Sequence, residues 1–129
     1  MAEKILVVDD SKLVTDIVRM RLSMYGYEVE LAHSGEEALA KVAVAVPDLM
    51  VLDVQMPGID GFETAAAIRS LERLRRVPII FLSAQGDRRA DGRDAYCEFI
   101  LKPIDPEVIR PRVAAHLQKK GSEQFSCNT

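Results

Sequence analysis

Short apolar runs that alternate with helix-patterned stretches restrict this chain to a small set of folds. Residues 5–8, 49–52 and 79–82 are apolar throughout and rich in β-branched side chains. Such uninterrupted runs are typical of strands that are buried on both faces of a parallel sheet. Between the first two runs, apolar residues recur at helical spacing from Val14 to Leu22. The alternation predicts an α/β domain whose parallel sheet is covered by helices on both faces.

The remaining predicted elements follow from caps, breakers and shorter apolar runs. They are strands at 28–32 and 99–101, a helix between Ser34 and Pro47, a helix over about 62–71, and a last helix that starts at 105–107. The strand at 28–32 alternates apolar and acidic residues, which favours an edge position with one wetter face. Ser34 and Glu37 have the spacing of a capping box, in which each side chain satisfies an amide of the other's turn.

Two places interrupt this pattern. Residues 84–94 contain two glycines and no large apolar residue, so a helix there could not bury a face. We therefore expect the fourth of five helices to be short or frayed. Pro111 falls inside the last predicted helix, where proline removes one hydrogen bond and clashes with the preceding turn. We expect a kink or a displaced helix start at that position.

Length, charge and cysteine content narrow the function classes. The 129 residues correspond to one domain. The net charge of −3 argues against direct binding to nucleic acid or to an anionic membrane surface. The N-terminus lacks the features of a signal peptide, and no apolar run approaches the roughly 20 residues of a membrane span. Cys97 and Cys127 have no metal-site spacing, which fits a reducing, cytoplasmic location.

Polar residues follow the predicted strands at the sheet edge where open α/β proteins bind ligands. Asp9 and Asp10 follow the first strand and Asp53 follows the third. Ser83 follows the fourth strand and Lys102 the fifth. Each residue alone is commonly a cap, a turn residue or a solvated charge. Three carboxylates at one rim repel each other unless a cation lies among them, and such ligands suit Mg²⁺.

Four segments at these strand ends resemble the motifs of one protein family. They are Val-Val-Asp-Asp-Ser at 7–11, Asp-Val-Gln-Met-Pro-Gly-Ile-Asp-Gly at 53–61, Leu-Ser-Ala at 82–84 and Phe-Ile-Leu-Lys-Pro at 99–103. Together they resemble the receiver domain of bacterial two-component response regulators, of the kind found in chemotaxis regulators. The resemblance covers about residues 3–119, with 120–129 as a polar tail or the start of a linker. It implies a flavodoxin-like, doubly wound five-stranded parallel sheet in the order 2-1-3-4-5 with five helices.

The resemblance also implies a reaction and a metal. Asp53 is the expected phosphoacceptor, which takes a phosphoryl group from the phosphohistidine of a sensor histidine kinase or a histidine phosphotransfer protein. Mg²⁺ is expected to bind Asp10, Asp53 and the backbone carbonyl of Gln55, with Asp9 acting largely through water. Lys102 is expected to neutralise one phosphoryl oxygen. The only catalysis expected is of the domain's own phosphorylation and dephosphorylation, so the chain is not expected to be an enzyme in the usual sense.

The same resemblance assigns residues to switching and to the lifetime of the phosphorylated state. Ser83 is expected to hydrogen-bond the phosphoryl group and to move together with Phe99, which would control an effector domain or a partner protein. Gln55 and Gln85 take the two variable positions that tune the lifetime of the acyl phosphate. Pro103 is expected to follow a cis peptide bond.

Three other functions compete with this interpretation. A degenerate receiver that acts as a phosphorylation-independent interaction module remains the main alternative. A hydrolase of the haloacid dehalogenase type would need a second aspartate two residues after the nucleophile, where Gln55 stands. A flavin-binding electron carrier would need a Ser/Thr/Gly-rich phosphate loop after the first strand, where Asp9 and Asp10 stand.

Overall fold

Strands and helices alternate from residue 4 to residue 83, as the apolar pattern predicts. The computed structural model describes residues 2–83, 97–101 and 106–120. In chain order its elements are β1 (Lys4–Val8), α1 (Lys12–Ser23), β2 (Glu28–Ala32), α2 (Gly35–Val44), β3 (Leu49–Asp53), α3 (Gly61–Arg69), a 3-10 turn (Glu72–Leu74), β4 (Ile79–Ser83), β5 (Cys97–Leu101) and α4 (Pro106–Lys120). The predicted short helix at 84–94 lies outside the described residues.

The five strands form one parallel sheet in the order β2-β1-β3-β4-β5, which confirms the predicted α/β fold and strand order. The register pairs Val8 with Leu52 and Asp53 with Leu82. Because parallel strands share one direction, the residues that follow them emerge at the same edge of the sheet. Of the predicted functional residues, Asp9, Asp10, Asp53 and Ser83 lie at that edge.

The core has two layers because successive side chains of a strand point to opposite faces. On the face covered by α2 and α3, Leu6 and Val8 of β1 pack with helix residues such as Val42 and Ile68. On the other face, Ile5 and Val7 pack with residues of α1 and α4. Both faces are therefore apolar, which explains why the β1 sequence has no polar alternation.

Side-chain caps define where the helices begin. Ser34 Oγ accepts a hydrogen bond from the Glu37 amide at 3.0 Å, as the predicted capping box requires. The reciprocal half is different, because the Glu37 carboxylate accepts from the amide of His33 at 2.8 Å. A complete capping box lies instead at the start of α3, where Asp60 and Glu63 each accept the other's amide at 2.8 Å.

The last helix α4 runs from Pro106 to Lys120 through Pro111, so it begins at the predicted residues 105–107 and its start is not displaced. Pro111 is exposed, while Ile109 and Val113 on either side of it are fully buried against the sheet. Their burial stabilises the helix against the loss of one hydrogen bond on the solvent side. Within the described ranges, no helix has the length and apolar composition needed to cross a bilayer.

Candidate functional site

Three carboxylates meet at the carboxyl ends of the neighbouring strands β1 and β3. Asp9 and Asp10 follow β1 directly, and Asp53 is the last residue of β3. One oxygen atom from each of the three lies within 4.8 Å of the others. Asp9 and Asp53 are almost fully buried, while Asp10 is exposed. The structure therefore brings together the three acidic residues that the strand ends predict.

Backbone amides hold the two buried carboxylates in place. The Ser11 amide donates to Asp9 Oδ1 at 2.9 Å, and the Gln55 amide donates to Asp53 Oδ1 at 3.4 Å. The Asp9 amide itself donates to the carbonyl of Ala32 at 3.1 Å, which extends the β1–β2 ladder by one bond. The orientation of both carboxylates is thus fixed by the sheet and by the turns that leave it.

The electrostatics of this cluster favour a cation. If Asp9 and Asp53 are both ionised with oxygens 4.8 Å apart, they repel by about 3 kcal/mol at an effective dielectric constant of about 20. A hard divalent cation removes that repulsion and takes carboxylate and carbonyl oxygens as ligands. The exposed position of Asp10 leaves one side of the cluster open to water or to a phosphoryl oxygen. The donor set fits Mg²⁺.

Gly61 lets the loop after β3 return onto the backbone of Asp53. A Cβ atom at Gly61 would lie 2.3 Å from the Asp53 carbonyl oxygen and 2.8 Å from Val54 Cα, which are backbone atoms that cannot turn away. The Gly61 amide donates to the Val54 carbonyl at 2.8 Å. The predicted helix over about 62–71 leaves Gly61 outside it, and this close approach was not recognised from the sequence.

A second contact that the sequence did not reveal joins the start of α2 to the same loop. A Cβ at Gly35 would lie 2.2 Å from Thr64 Oγ1 of α3 and 2.5 Å from Ile59 Cγ1 of the loop, so a side chain there would force both residues to shift. Gly58 has a φ of +77°, and the Glu36 carboxylate lies beside it. The loop between β3 and α3 is therefore held from two sides, by α3 and by α2. A single sequence carries no signal for such a contact between helices.

Ser83 ends β4 and is almost fully buried. It follows Leu82, the register partner of Asp53, so it lies at the same edge of the sheet as the acidic cluster. The backbone of Phe99 lies in β5 opposite Phe81. The side chain of Gln55 is exposed. Three other predicted site residues lie outside the described part of the chain: Gln85, Lys102 and Pro103.

Comparison with known families and curated proteins gives one consistent result. A family model described as the response regulator receiver domain matches residues 5–114. The response regulator MprA of Mycobacterium bovis is 40% identical over 126 residues, which cover 95% of this chain and 54% of that protein. The transcriptional regulatory protein ResD of Bacillus subtilis is 38% identical over 130 residues, which cover 98% of this chain and 53% of that protein. The chain spans about half the length of the curated relatives it matches.

Solved structures share the fold over almost the whole chain. The chemotaxis response regulator CheY4 of Vibrio cholerae has a TM-score of 0.81 and 32% identity, covering 90% of this chain and 99% of that one. The signal receiver domain of a histidine kinase from Syntrophus aciditrophicus has a TM-score of 0.84 and 28% identity, covering 97% of this chain and 96% of that one.

The relatives bear on the expectation that the chain does not bind nucleic acid. ResD is named a transcriptional regulatory protein. The net charge of this chain therefore gives no ground for excluding nucleic acid from the function of a longer protein of that kind.

Proposed function

The chain belongs to the response regulator receiver domain family of two-component signalling, and we propose that it accepts a phosphoryl group on Asp53. The donor is the phosphohistidine of a sensor histidine kinase or of a histidine phosphotransfer protein. The observation that carries this proposal is the cluster of Asp9, Asp10 and Asp53 oxygens within 4.8 Å at one edge of the sheet. Asp53 is the member of the cluster that ends a central, fully buried strand.

The reaction replaces one bond to phosphorus with another. A carboxylate oxygen of Asp53 attacks the phosphorus atom, and the bond between phosphorus and the donor's imidazole nitrogen breaks. The electron pair of that bond stays on the imidazole nitrogen, and an acyl phosphate remains on Asp53. The transition state is loose and highly charged, so catalysis consists mainly of positioning and of charge neutralisation.

The residues of the cluster divide between positioning and metal binding. Mg²⁺ would be held by Asp10, Asp53 and the Gln55 carbonyl, with Asp9 acting largely through water, and it would neutralise charge on the phosphoryl oxygens. The Gln55 amide orients the Asp53 carboxylate at 3.4 Å. The Ser11 amide does the same for Asp9 at 2.9 Å. Burial of Asp53 limits the access of water to the acyl phosphate once it has formed.

Two further residues complete the proposed phosphoryl site. Ser83, at the end of β4, would donate a hydrogen bond to one phosphoryl oxygen. Lys102 would neutralise a second oxygen, and a cis peptide before Pro103 would direct the lysine turn towards the site. Both assignments follow from the family motif, and the burial of Ser83 beside the acidic cluster supports the first of them.

The output is a conformational switch that the added charge drives. Phosphorylation replaces the single negative charge of the Asp53 carboxylate with the roughly −1.5 to −2 charges of a phosphoryl group. The added charge would attract the Ser83 hydroxyl, and the movement of Ser83 would leave space for Phe99 to turn inward. Gln55 and Gln85 would set how fast water removes the phosphoryl group. The switch would control an effector domain or a partner protein. Nucleic acid would enter only through such an effector, because relatives named as transcriptional regulators are about twice the length of this chain.

The test uses a small-molecule phosphodonor in place of the kinase. Incubation of the full chain with acetyl phosphate and Mg²⁺ is expected to raise its intact mass by about 80 Da, one phosphoryl group. Asp53→Asn is expected to abolish the gain, and a chelator is expected to suppress it in the wild type. Asp16→Asn changes a partly exposed aspartate on α1 that lies outside the cluster; it is the matched control and should be modified normally. An unmodified wild type would contradict the proposal and favour a phosphorylation-independent interaction module.

A further inference from the structure

The first turn of α2 packs against the loop that joins β3 to α3. This β3–α3 loop, residues 54–60, carries Gln55, whose carbonyl is the proposed Mg²⁺ ligand. A hydrogen bond from the Gly61 amide to the Val54 carbonyl at 2.8 Å closes the loop at its two ends. Between those ends, the side chain of Ile59 lies against α2. The position of the loop therefore depends on a helix that carries none of the proposed ligands.

Gly35 is the residue of α2 at this contact, and the space around it explains why it is glycine. It is the first residue of α2, directly after the N-cap Ser34. Its φ angle lies outside the left-handed region, so alanine could adopt the same backbone. Alanine is also the better helix former. What excludes a side chain is the neighbours, because a Cβ would lie 2.5 Å from Ile59 Cγ1 and 2.2 Å from Thr64 Oγ1.

Both of these neighbours are connected to the proposed phosphoryl site through the backbone. Ile59 is half-buried and lies four residues after Gln55 in the β3–α3 loop. Thr64 is fully buried in the first turn of α3. Its hydroxyl donates to the carbonyl of Asp60, the N-cap residue of α3, at 2.7 Å. A side chain at Gly35 would therefore press on the end of the loop and on the helix that follows it.

The size of the clash indicates that side chains alone cannot absorb it. To reach an ordinary contact of 3.4 Å, Ile59 Cγ1 would have to move by about 0.9 Å and Thr64 Oγ1 by about 1.2 Å. Both atoms are bonded directly to the Cβ of a β-branched residue, which is stiff at χ1, so relief requires backbone movement. Mg²⁺ demands near-ideal octahedral geometry, and a binding site has to be held to within about 0.5 Å. A displacement of this size is therefore enough to weaken Mg²⁺ binding.

We propose that Gly35 is a positioning residue for the Mg²⁺ site. By allowing α2 to approach closely, it lets the helix hold the β3–α3 loop, and with it Gln55, in the place that metal binding requires. This inference rests on the proposed function, from which it takes the Mg²⁺ site. It adds that the affinity of the site is set in part by α2.

Titration calorimetry of the full, unphosphorylated chain with Mg²⁺ tests the role of Gly35. Gly35→Ala should lower Mg²⁺ affinity by about tenfold, as the loss of a residue that orients a metal ligand does. Ala40→Gly is the matched control, because Ala40 is exposed on the same helix. It weakens α2 without adding an atom near the loop, so Mg²⁺ affinity should be unchanged. Circular dichroism shows whether each variant is folded.

A compensating background separates positioning from a general loss of stability. Ile59→Ala and Thr64→Ala together remove the three atoms that a Cβ at Gly35 would meet. In this background, the addition of Gly35→Ala should change Mg²⁺ affinity by less than about twofold, because groups that do not touch act independently. A tenfold loss in both backgrounds would overturn the proposal, and so would an equal loss in Ala40→Gly.

The outcomes distinguish this inference from the proposed function. A wild type that binds no Mg²⁺ would overturn both. A wild type that binds Mg²⁺ with the same affinity as Gly35→Ala would overturn the inference alone. If Gly35→Ala does not fold, Ile59→Ala tests the same contact without overpacking. It should lower Mg²⁺ affinity at least roughly twofold, because the loop loses the side chain that lies against α2. An unchanged affinity of Ile59→Ala would then overturn the inference.

Discussion

Gly61→Ala is the substitution whose cost follows most directly from the structure. The new methyl carbon would lie 2.3 Å from the carbonyl oxygen of Asp53 and 2.8 Å from Val54 Cα, well inside van der Waals contact. Both are backbone atoms, so relief requires movement of β3, of α3 or of the loop between them. Overpacking of this kind costs about 1–3 kcal/mol. The gain from restricting the unfolded chain offsets roughly 0.4–1 kcal/mol of that.

The expected net loss is roughly 1.3 kcal/mol, and urea unfolding measures it. With an m value of about 2 kcal/mol/M, the midpoint should fall by roughly 0.6 M while m stays constant. Phosphorylation by acetyl phosphate should also slow, because the substitution moves the backbone that carries the proposed phosphoacceptor Asp53.

Gly26→Ala is the matched control for this prediction. Gly26 has a φ of +92° but no atom within 4 Å of its Cβ position. Its substitution should cost the roughly 1–2 kcal/mol of a left-handed alanine without any steric clash. The phosphorylation rate of the folded protein should not change, and this rate separates the control from Gly61→Ala. A midpoint of Gly61→Ala within 0.2 M of the wild type, on an assay of about that precision, would refute the steric reasoning.

Two further predictions concern charge. Asp9→Asn should lower Mg²⁺ affinity by about tenfold or more in titration calorimetry, as the loss of an outer ligand does. In the presence of a chelator it should raise the urea midpoint, because it removes a repulsive carboxylate. An unchanged affinity would contradict the role of Asp9 in metal binding. Burial, with Glu3 adding to it and Arg110 opposing it, raises the pKa of Tyr27 above 10.0. Its folded state therefore favours the protonated form, and the free energy of unfolding should fall as pH rises past 10. Tyr27→Phe should reduce this fall in the free energy of unfolding above pH 10 more than Tyr25→Phe does. Equal falls in the two variants would contradict the raised pKa of Tyr27.

Much of the fold could be predicted from local pattern. The β1 and β4 strands were predicted to within one residue, because a strand buried on both faces is apolar throughout and this is visible in sequence. The strand order followed from family resemblance and not from periodicity, and the sheet confirms it. Pro111 shows the limit of local rules. Its neighbours Ile109 and Val113 are buried, and tertiary packing outweighs the loss of one hydrogen bond.

Helix faces were harder to predict than helix positions. In α3, Ala66 is as apolar as its buried neighbour Ala65, yet it is exposed while Thr64 is fully buried. Threonine can be buried there because its hydroxyl donates to the Asp60 carbonyl at 2.7 Å. Small and amphipathic residues give weak periodic signals, so which face is covered depends on the neighbouring elements.

The sequence by itself determined which residues stand at the carboxyl ends of the strands, and therefore which acids share one edge of the sheet. Only the tertiary structure decided that oxygens of Asp9, Asp10 and Asp53 come within 4.8 Å, since they belong to segments more than 40 residues apart. The fit of Gly61 against Asp53 is likewise tertiary. The same holds for α1. Ile17 and Val18 are both apolar and both belong to its helical pattern, so the sequence did not distinguish which of them is buried. Packing against the sheet covered Val18 and left Ile17 at the surface, because a helix can bury only one face against a single sheet.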